Sequence, residues 1–391
     1  MSDLEWRSAA AQTFVGGQIT RIDSYWQSHV LGANIYDLID EYDLWSDAFG
    51  ARGKSIKGKW KTMVAQHTGS GSVARLAKAA LSNLRGRDEV KLGTELFDAL
   101  KQDVVMPLQL MFHKASLTIN FKADGWFEGQ AGFDSYTTMW DRKTTGAALT
   151  ATPDAKNPAH IRAKADRHAL YGQFDNGKKN VAASGMHLPH VKRTVDKTTY
   201  KESWDYSKGK DDMRAQPSPG NPADNQIFAG LNYGDRAHGA STRYGESFFE
   251  LSDQYKSDAV YFAMDTFTPV SLGMNAFRPK DQRTKLYQVS AGSFGGAILL
   301  AIKSQNPTKN PNAAELLKEL LSAARGVDVP KKDADAEHLL IEAHIFKKIA
   351  MTPECIKRVT ISRGECPPGS AITANAAAFS ARAGIPVVYI T

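Results

Sequence analysis

Cysteine is nearly absent: Cys355 and Cys366 are the two in 391 residues. One candidate pair cannot staple a disulfide scaffold, so stability must come from a buried apolar core, and a reducing cytosol is the default compartment. No run of about 18 uninterrupted apolar residues occurs, which excludes an ordinary membrane-spanning helix and stable membrane insertion. The first fifteen residues carry Asp3 and Glu5 and no apolar block, so no classical export leader is expected. The phosphate-binding loop, the dinucleotide glycine fingerprint, HExxH, paired CxxC and the Gly-x-Ser-x-Gly elbow are all missing. Their absence removes the usual NTPase, Rossmann, zinc and serine-hydrolase readings, and no metal is expected.

What is present is ordinary globular material, 42% apolar and 23% charged, in a chain long enough for two domains. The net charge of +7 is unevenly spread. Residues 1–50 carry two basic side chains against eight acids, and residues 51–91 carry ten against two. The run Arg52, Lys54, Lys57, Lys59 and Lys61 could meet nucleic acid or an anionic membrane surface, or simply pair with the acidic block before it.

Apolar residues between Asp23 and Phe49 recur at three, four and seven positions, as do those between 72 and 104, after Gly69-Ser70-Gly71; both spacings predict helices. Residues 1–105 therefore read as a helical N-terminal module. The rhythm then switches to two at Leu117, Ile119 and Phe121, a half-buried strand. Further strands are expected at 247–251, 259–264, 339–346, 357–361 and 386–390. Helices are expected at 313–324 and at 371–383, the latter stopped by Gly384. The class is α+β, with residues 106–391 forming the second domain. A polar, lysine-rich insertion at about 141–225 reads as a loop, lid or irregular segment.

Three constellations carry chemistry. The block from Phe228 to Phe267 mixes small residues with Asn232, Arg236, Ser241, Arg243, Tyr244 and, on the following strand, Phe249. Small residues let backbone approach a ligand, arginines fork onto phosphates, and a tyrosine stacks on a planar ring, which is what a nucleotide needs. In the strand around Ile341, Leu340, Glu342 and His344 share one face. With the apolar face in the core, Glu342 and His344 look out together, a carboxylate able to stabilise a cationic centre beside a histidine able to tune it. Finally, His113 precedes the first strand and could contact a ribose. The glycine-rich Ser290–Gly296 stretch lacks the context of a phosphate loop and reads as a packing site in a tight helix or turn.

The order of these segments, Leu117–Phe121, Tyr171–Phe174, Leu231 through Gly245, Asp265–Phe267 and Leu340–His344, resembles an uncharacterised bacterial domain-of-unknown-function family related to ADP-ribosyltransferase toxins and effectors. The similarity spans about residues 110–391. It implies a mixed or antiparallel ADP-ribosyltransferase-like sheet domain that takes NAD as substrate and modifies a macromolecular target, protein or nucleic acid. Glu342 would be the catalytic glutamate, His113 a ribose contact and Tyr244 a ring-stacking residue, with Asn232, Arg236, Ser241, Arg243 and Phe249 lining the NAD site. No Ser-Thr-Ser strand is evident, and Leu340 stands where a Glu-x-Glu pair would have its first carboxylate; NAD glycohydrolysis is thus as open as transfer. The resemblance further implies a cytoplasmic protein delivered into target cells by a leaderless route, with an immunity protein or secretion adaptor as partner.

Two alternatives remain at the level of sequence. His187, His190 and His344 could serve a metal-independent nuclease as acid and base, which a pI near 9.1 would suit. The Asn232–Phe267 block could also be a non-catalytic binding surface.

Overall fold

The computed structural model describes residues 4–20 (save 10, 14 and 18), 32–66, 88–128, 132–136, 192–195, 202–205, 227–263, 289–305, 311–327 and 339–391. The segments Tyr171–Phe174 and Asp265–Phe267, the pair His187 and His190, and most of the 141–225 insertion lie outside those residues. Of that insertion, an antiparallel pair is described, β2 (Lys192–Val195) with β3 (Glu202–Asp205).

Helices open the chain. In α1 (Gly32–Glu41), buried Ile35, Tyr36, Leu38 and Ile39 fall on one stripe, as an amphipathic helix requires. The Tyr36 ring packs 5.9 Å from Trp45 and 5.8 Å from Phe49 of α2 (Trp45–Phe49), and 5.0 Å from Trp60 of α3 (Gly53–Gln66). Its hydroxyl donates to the Leu96 carbonyl at 2.6 Å in α4 (Asp88–Leu100). The basic run on and before α3 faces acids: Arg52 pairs with Asp103 (3.0 Å), Lys57 with Asp43 (2.6 Å), Lys59 with Glu95 (2.7 Å) and Lys61 with Asp40. Most of these groups are well exposed, so the pairs contribute little to stability; those of Lys57 and Lys61 reach the acidic block that precedes the run.

From α4 the chain passes through a π-helical turn (Lys101–Val105) straight into α5 (Met106–Lys114). The expected domain boundary at 105/106 thus falls inside a continuous helical run. Buried apolar residues of these helices and of the sheet belong to one cluster. Within it lies α7 (Phe294–Gln305), whose glycine-rich start reads in the sequence as a tight helix or turn and whose full length has no local signal. Residues 294–302 of it are apolar on every side, and Phe294, Ile298, Leu299, Ala301 and Ile302 are buried, so that stretch has no polar face by which to recognise it. A Cβ at Gly295 would stand 2.2 Å from the Val105 carbonyl oxygen, so only glycine permits this helix crossing. Gln109 accepts from the Gly295 amide and donates to the Ala291 carbonyl, both at 2.8 Å, capping the first turn.

Among the described residues the main sheet has eight strands, in the order β10-β9-β5-β1-β4-β8-β6-β7. They are β1 (Ser116–Phe121), β4 (Ile227–Asn232), β5 (Ser247–Leu251), β6 (Val260–Phe262), β7 (Val289–Ser290), β8 (Glu342–Ile345), β9 (Ile356–Ser362) and β10 (Val387–Ile390). Every pairing is antiparallel except β9 with β10. One face is apolar and carries Ile119, Phe121, Leu231, Phe249, Ala343 and Ile345 toward the helices, including α6 (Ala123–Phe127). Registry puts Thr118, Asn120, Gly230, Glu250, Glu342, His344 and Thr360 on the other face. The described residues are α+β, with two further helices: α8 (Pro311–Ala324) and α9 (Ala371–Ala383), the latter capped by Ser370 and ended by left-handed Gly384. Cys355 and Cys366 are buried free thiols. Among the described residues no helix is long and apolar enough to cross a membrane.

Candidate functional site

Strand β8 lies between β4 and β6, and its pairing decides what surrounds its polar residues. Glu342 is opposite Gly230 on β4 and Phe262 on β6, and His344 is opposite Phe228 and Val260. Two residues apart on one strand, their side chains run parallel. The His344 Nε2–H donates to Glu342 Oε1 at 2.8 Å, with the histidine side chain at 0% exposure and the glutamate at 6%. The imidazole lies 4.5 Å from the Phe262 ring and meets Phe228 edge-on at 5.2 Å. Glu342 and His344 do share a face, as the alternation predicts, but that face is covered there and the pair is buried. A carboxylate in so dry a place needs hydrogen-bond donors, and the histidine supplies one.

The segment from Tyr233 to Gly245 folds back across the same face. Asn232 holds its start: Nδ2 donates to the Arg236 carbonyl at 3.0 Å and Oδ1 accepts from the Arg236 amide at 2.9 Å. Asn120 on β1 fastens its far end, donating to the carbonyls of His238 (2.7 Å) and Gly245 (2.9 Å) and accepting from the Ser241 amide (3.0 Å). Thr118 Oγ1 accepts from the Ala240 amide at 3.0 Å. A Cβ on Gly230 would come within 2.6 Å of Ala240 Cβ and 2.9 Å of Leu340, so the loop lies flat only because β4 carries a glycine opposite Glu342. Gly245, at φ 134°, could bear no side chain against the Phe121 carbonyl 2.0 Å from a Cβ.

The residues predicted to meet a nucleotide divide sharply. Arg243 and Tyr244 stand exposed on a short 3-10 turn (Thr242–Tyr244) of this loop, where a phosphate and a ring could reach them. Arg236 does not fork outward: its guanidinium is buried against Glu319 of α8 at 2.8 Å and the Tyr233 hydroxyl at 3.0 Å. Asn232 is committed to the loop's own backbone, and Ser241 is buried with its amide on Asn120. Phe249 is misassigned: it points to the opposite face, stacked 4.4 Å from Phe121 at 0% exposure. Strand parity turns its neighbour Phe248 toward the loop instead. His113 is exposed at the end of α5, just before β1, with Gln109 3.2 Å from its ring and Lys256 donating to its carbonyl at 2.9 Å.

Sequence reasoning overlooked Thr118 and Asn120, the two polar residues that fasten the loop, and Glu319, which anchors Arg236. The alternation in β1 exposed the first two as a polar face. Their role depends on backbone more than a hundred residues away, for which no local signal exists.

The chain matches no known protein family and no curated protein.

Proposed function

We propose that the chain binds NAD and transfers its ADP-ribose to a macromolecular acceptor, with Glu342 as the reacting carboxylate. One observation supports this above the others: Glu342 projects from the sheet face that the loop 233–245 crosses, in a hydrogen-bonded pair with His344. Arg243 and Tyr244 on that loop are the side chains suited to a phosphate and a planar ring.

In the reaction, the glycosidic C–N bond to nicotinamide breaks with its electron pair leaving on the nicotinamide nitrogen. The ribosyl carbon becomes cationic, and a carboxylate fixed beside it lowers the energy of that charge. The acceptor nucleophile then bonds to that carbon and gives up its proton to Glu342 or to solvent. Water in place of the acceptor makes the same step an NAD glycohydrolysis. Histidine-based cleavage of nucleic acid is less well served, since His344 is sealed between aromatic rings where a polymer's leaving group would have to reach it. Incubating the purified protein with NAD labelled in its adenylate half, with and without cell lysate, tests the reading. Nicotinamide release and label on macromolecules are expected; neither, in any lysate, overturns it.

A further inference from the structure

We propose that the outer edge of β10 is a self-complementary interface, at which two copies of the chain join antiparallel across a two-fold axis and continue one sheet through both. The proposal is independent of any NAD chemistry. β10 ends the order of the main sheet, and among the described residues no strand pairs with its outer side. The carbonyls of Pro386 and Ile390 accept from the Val359 and Arg363 amides, at 2.9 and 2.7 Å. Alternate residues of a strand turn their peptide groups to opposite sides, so Val387 and Tyr389 point theirs away from β9. Two amides and two carbonyls at that spacing match the same two residues of a second β10 running the other way. Val387 then exchanges both hydrogen bonds with Tyr389 of the other copy, and Val388 lies on the axis facing its own counterpart. Val388 is the exposed residue of this strand, at 40%.

Charge and shape favour a second copy as the occupant. Edge strands kept apart from one another carry lysine, glutamate or an inward charge. Residues 383–391 carry no acidic or basic side chain. The flanking basic groups are engaged within the chain: the Arg363 guanidinium stacks 4.0 Å over the Tyr389 ring, and Arg382 pairs with Asp134 at 2.7 Å. Two chains of net charge +7 can therefore meet here without opposing like charges. The helix beside the edge agrees. Asn375 and Arg382 of α9 reach inward to the Phe127 carbonyl and to Asp134, so the opposite flank of α9 faces out past β10. That flank carries Thr373, Ala377 and Ser380, with both hydroxyls turned back to carbonyls, of Pro367 at 3.1 Å and Ile385 at 2.7 Å. Side chains so small and so satisfied let a symmetry-related α9 approach closely. One strand and one helix make an edge about 20 Å long and about 20 Å deep, hence roughly 800 Å² buried over both copies. A standard interface is about twice that, so the dimer should be weak, with Kd on the order of 10⁻⁵–10⁻⁴ M.

Sedimentation equilibrium of the full chain from about 10 µM to about 1 mM tests the pairing, with circular dichroism to check that variants fold. Val388→Lys and Val388→Glu each set like charges against one another on the axis and should weaken association at least about tenfold. Mixed one to one, the two variants face lysine to glutamate and should associate at least about threefold more tightly than either alone. In the wild-type chain, where no substitution is needed, exchange of the Val387 and Tyr389 amides should slow as concentration rises. Wild-type protein that stays monomeric to about 1 mM overturns the proposal, as does a dimer that Val388→Lys leaves unchanged. A mixture no tighter than its components, or a populated dimer in which those two amides exchange as in the monomer, overturns it as well.

Discussion

The Tyr233 hydroxyl donates to the Leu339 carbonyl at 2.8 Å, tying the start of the loop over the sheet to the segment that enters β8. Around that contact the Arg236 guanidinium sits 4.8 Å from the Tyr233 ring centre and 2.8 Å from the Glu319 carboxylate. Burial pushes the Tyr233 phenol far above its ordinary range, so it stays protonated as a donor. Three elements that are distant in sequence thus meet at one polar knot beside the candidate site.

Breaking that knot from one side should be costly. Arg236 is 7% exposed and Glu319 is 6% exposed. Glu319→Ala would strand a buried guanidinium, and denaturant unfolding should show a loss of about 3–5 kcal/mol. Replacing both partners, Arg236→Met with Glu319→Leu, should restore most of it, because neither charge then remains to be desolvated. A double variant no more stable than Glu319→Ala alone would show that the ion pair is not what holds this corner.

Asn120 offers a second test, aimed at the loop. Its side chain makes three hydrogen bonds to the backbone of 238–245, at 2.7 to 3.0 Å. Asn120→Ala should cost about 2–4 kcal/mol, taking about 1 kcal/mol for each. Amide hydrogen exchange at Ser241 should accelerate well beyond that of the β1 amides. Equal protection of the Ser241 amide in both proteins would place the loop's anchorage elsewhere.

These residues show how far the sequence could be read. Strand β1 and helix α9 were legible almost to the residue, because a two-residue alternation and a stopping glycine are local signals. Helix α7 was not, because a fully buried helix loses the polar face that gives periodicity its contrast. Strand β4 looked like a ligand loop for a related reason: Gly230, which reads as freedom, is there to let Ala240 lie against the sheet. Within the candidate site, the shared face of Glu342 and His344 followed from strand parity. Its burial did not, because what covers a sheet face is set by segments elsewhere in the chain. Arg236 fails as a phosphate ligand for the same reason, its partner Glu319 being 83 residues downstream.

Glu342→Gln keeps the side chain's size and still offers an oxygen to the His344 N–H. Its unfolding free energy should stay within about 1–2 kcal/mol of wild type, the scale of one hydrogen bond changed from charged to neutral. Nicotinamide release, in contrast, should fall by about 10²–10³, as when a group that stabilises transition-state charge is lost. Unaltered turnover in the folded variant would take Glu342 out of the reaction.

Alkaline pH should expose the buried phenols. Tyr36, Tyr233, Tyr255 and Tyr261 are all raised above the ordinary tyrosine value of 10.0, in each case chiefly by burial. A raised folded-state pKa means that, above pH 10, the unfolded chain loses phenolic protons that the folded chain retains. Their stabilising contribution is therefore complete below about pH 10 and declines as pH climbs toward the folded-state values, by as much as about 1.4 kcal/mol per pH unit for each tyrosine. Absorbance at 295 nm during base titration should show exposed tyrosines ionising gradually, followed by a cooperative step coincident with loss of far-ultraviolet circular dichroism. A single gradual ionisation with the helical signal intact would mean that these four hydroxyls reach solvent, and Tyr233 could then no longer be the sealed donor that ties the loop to β8.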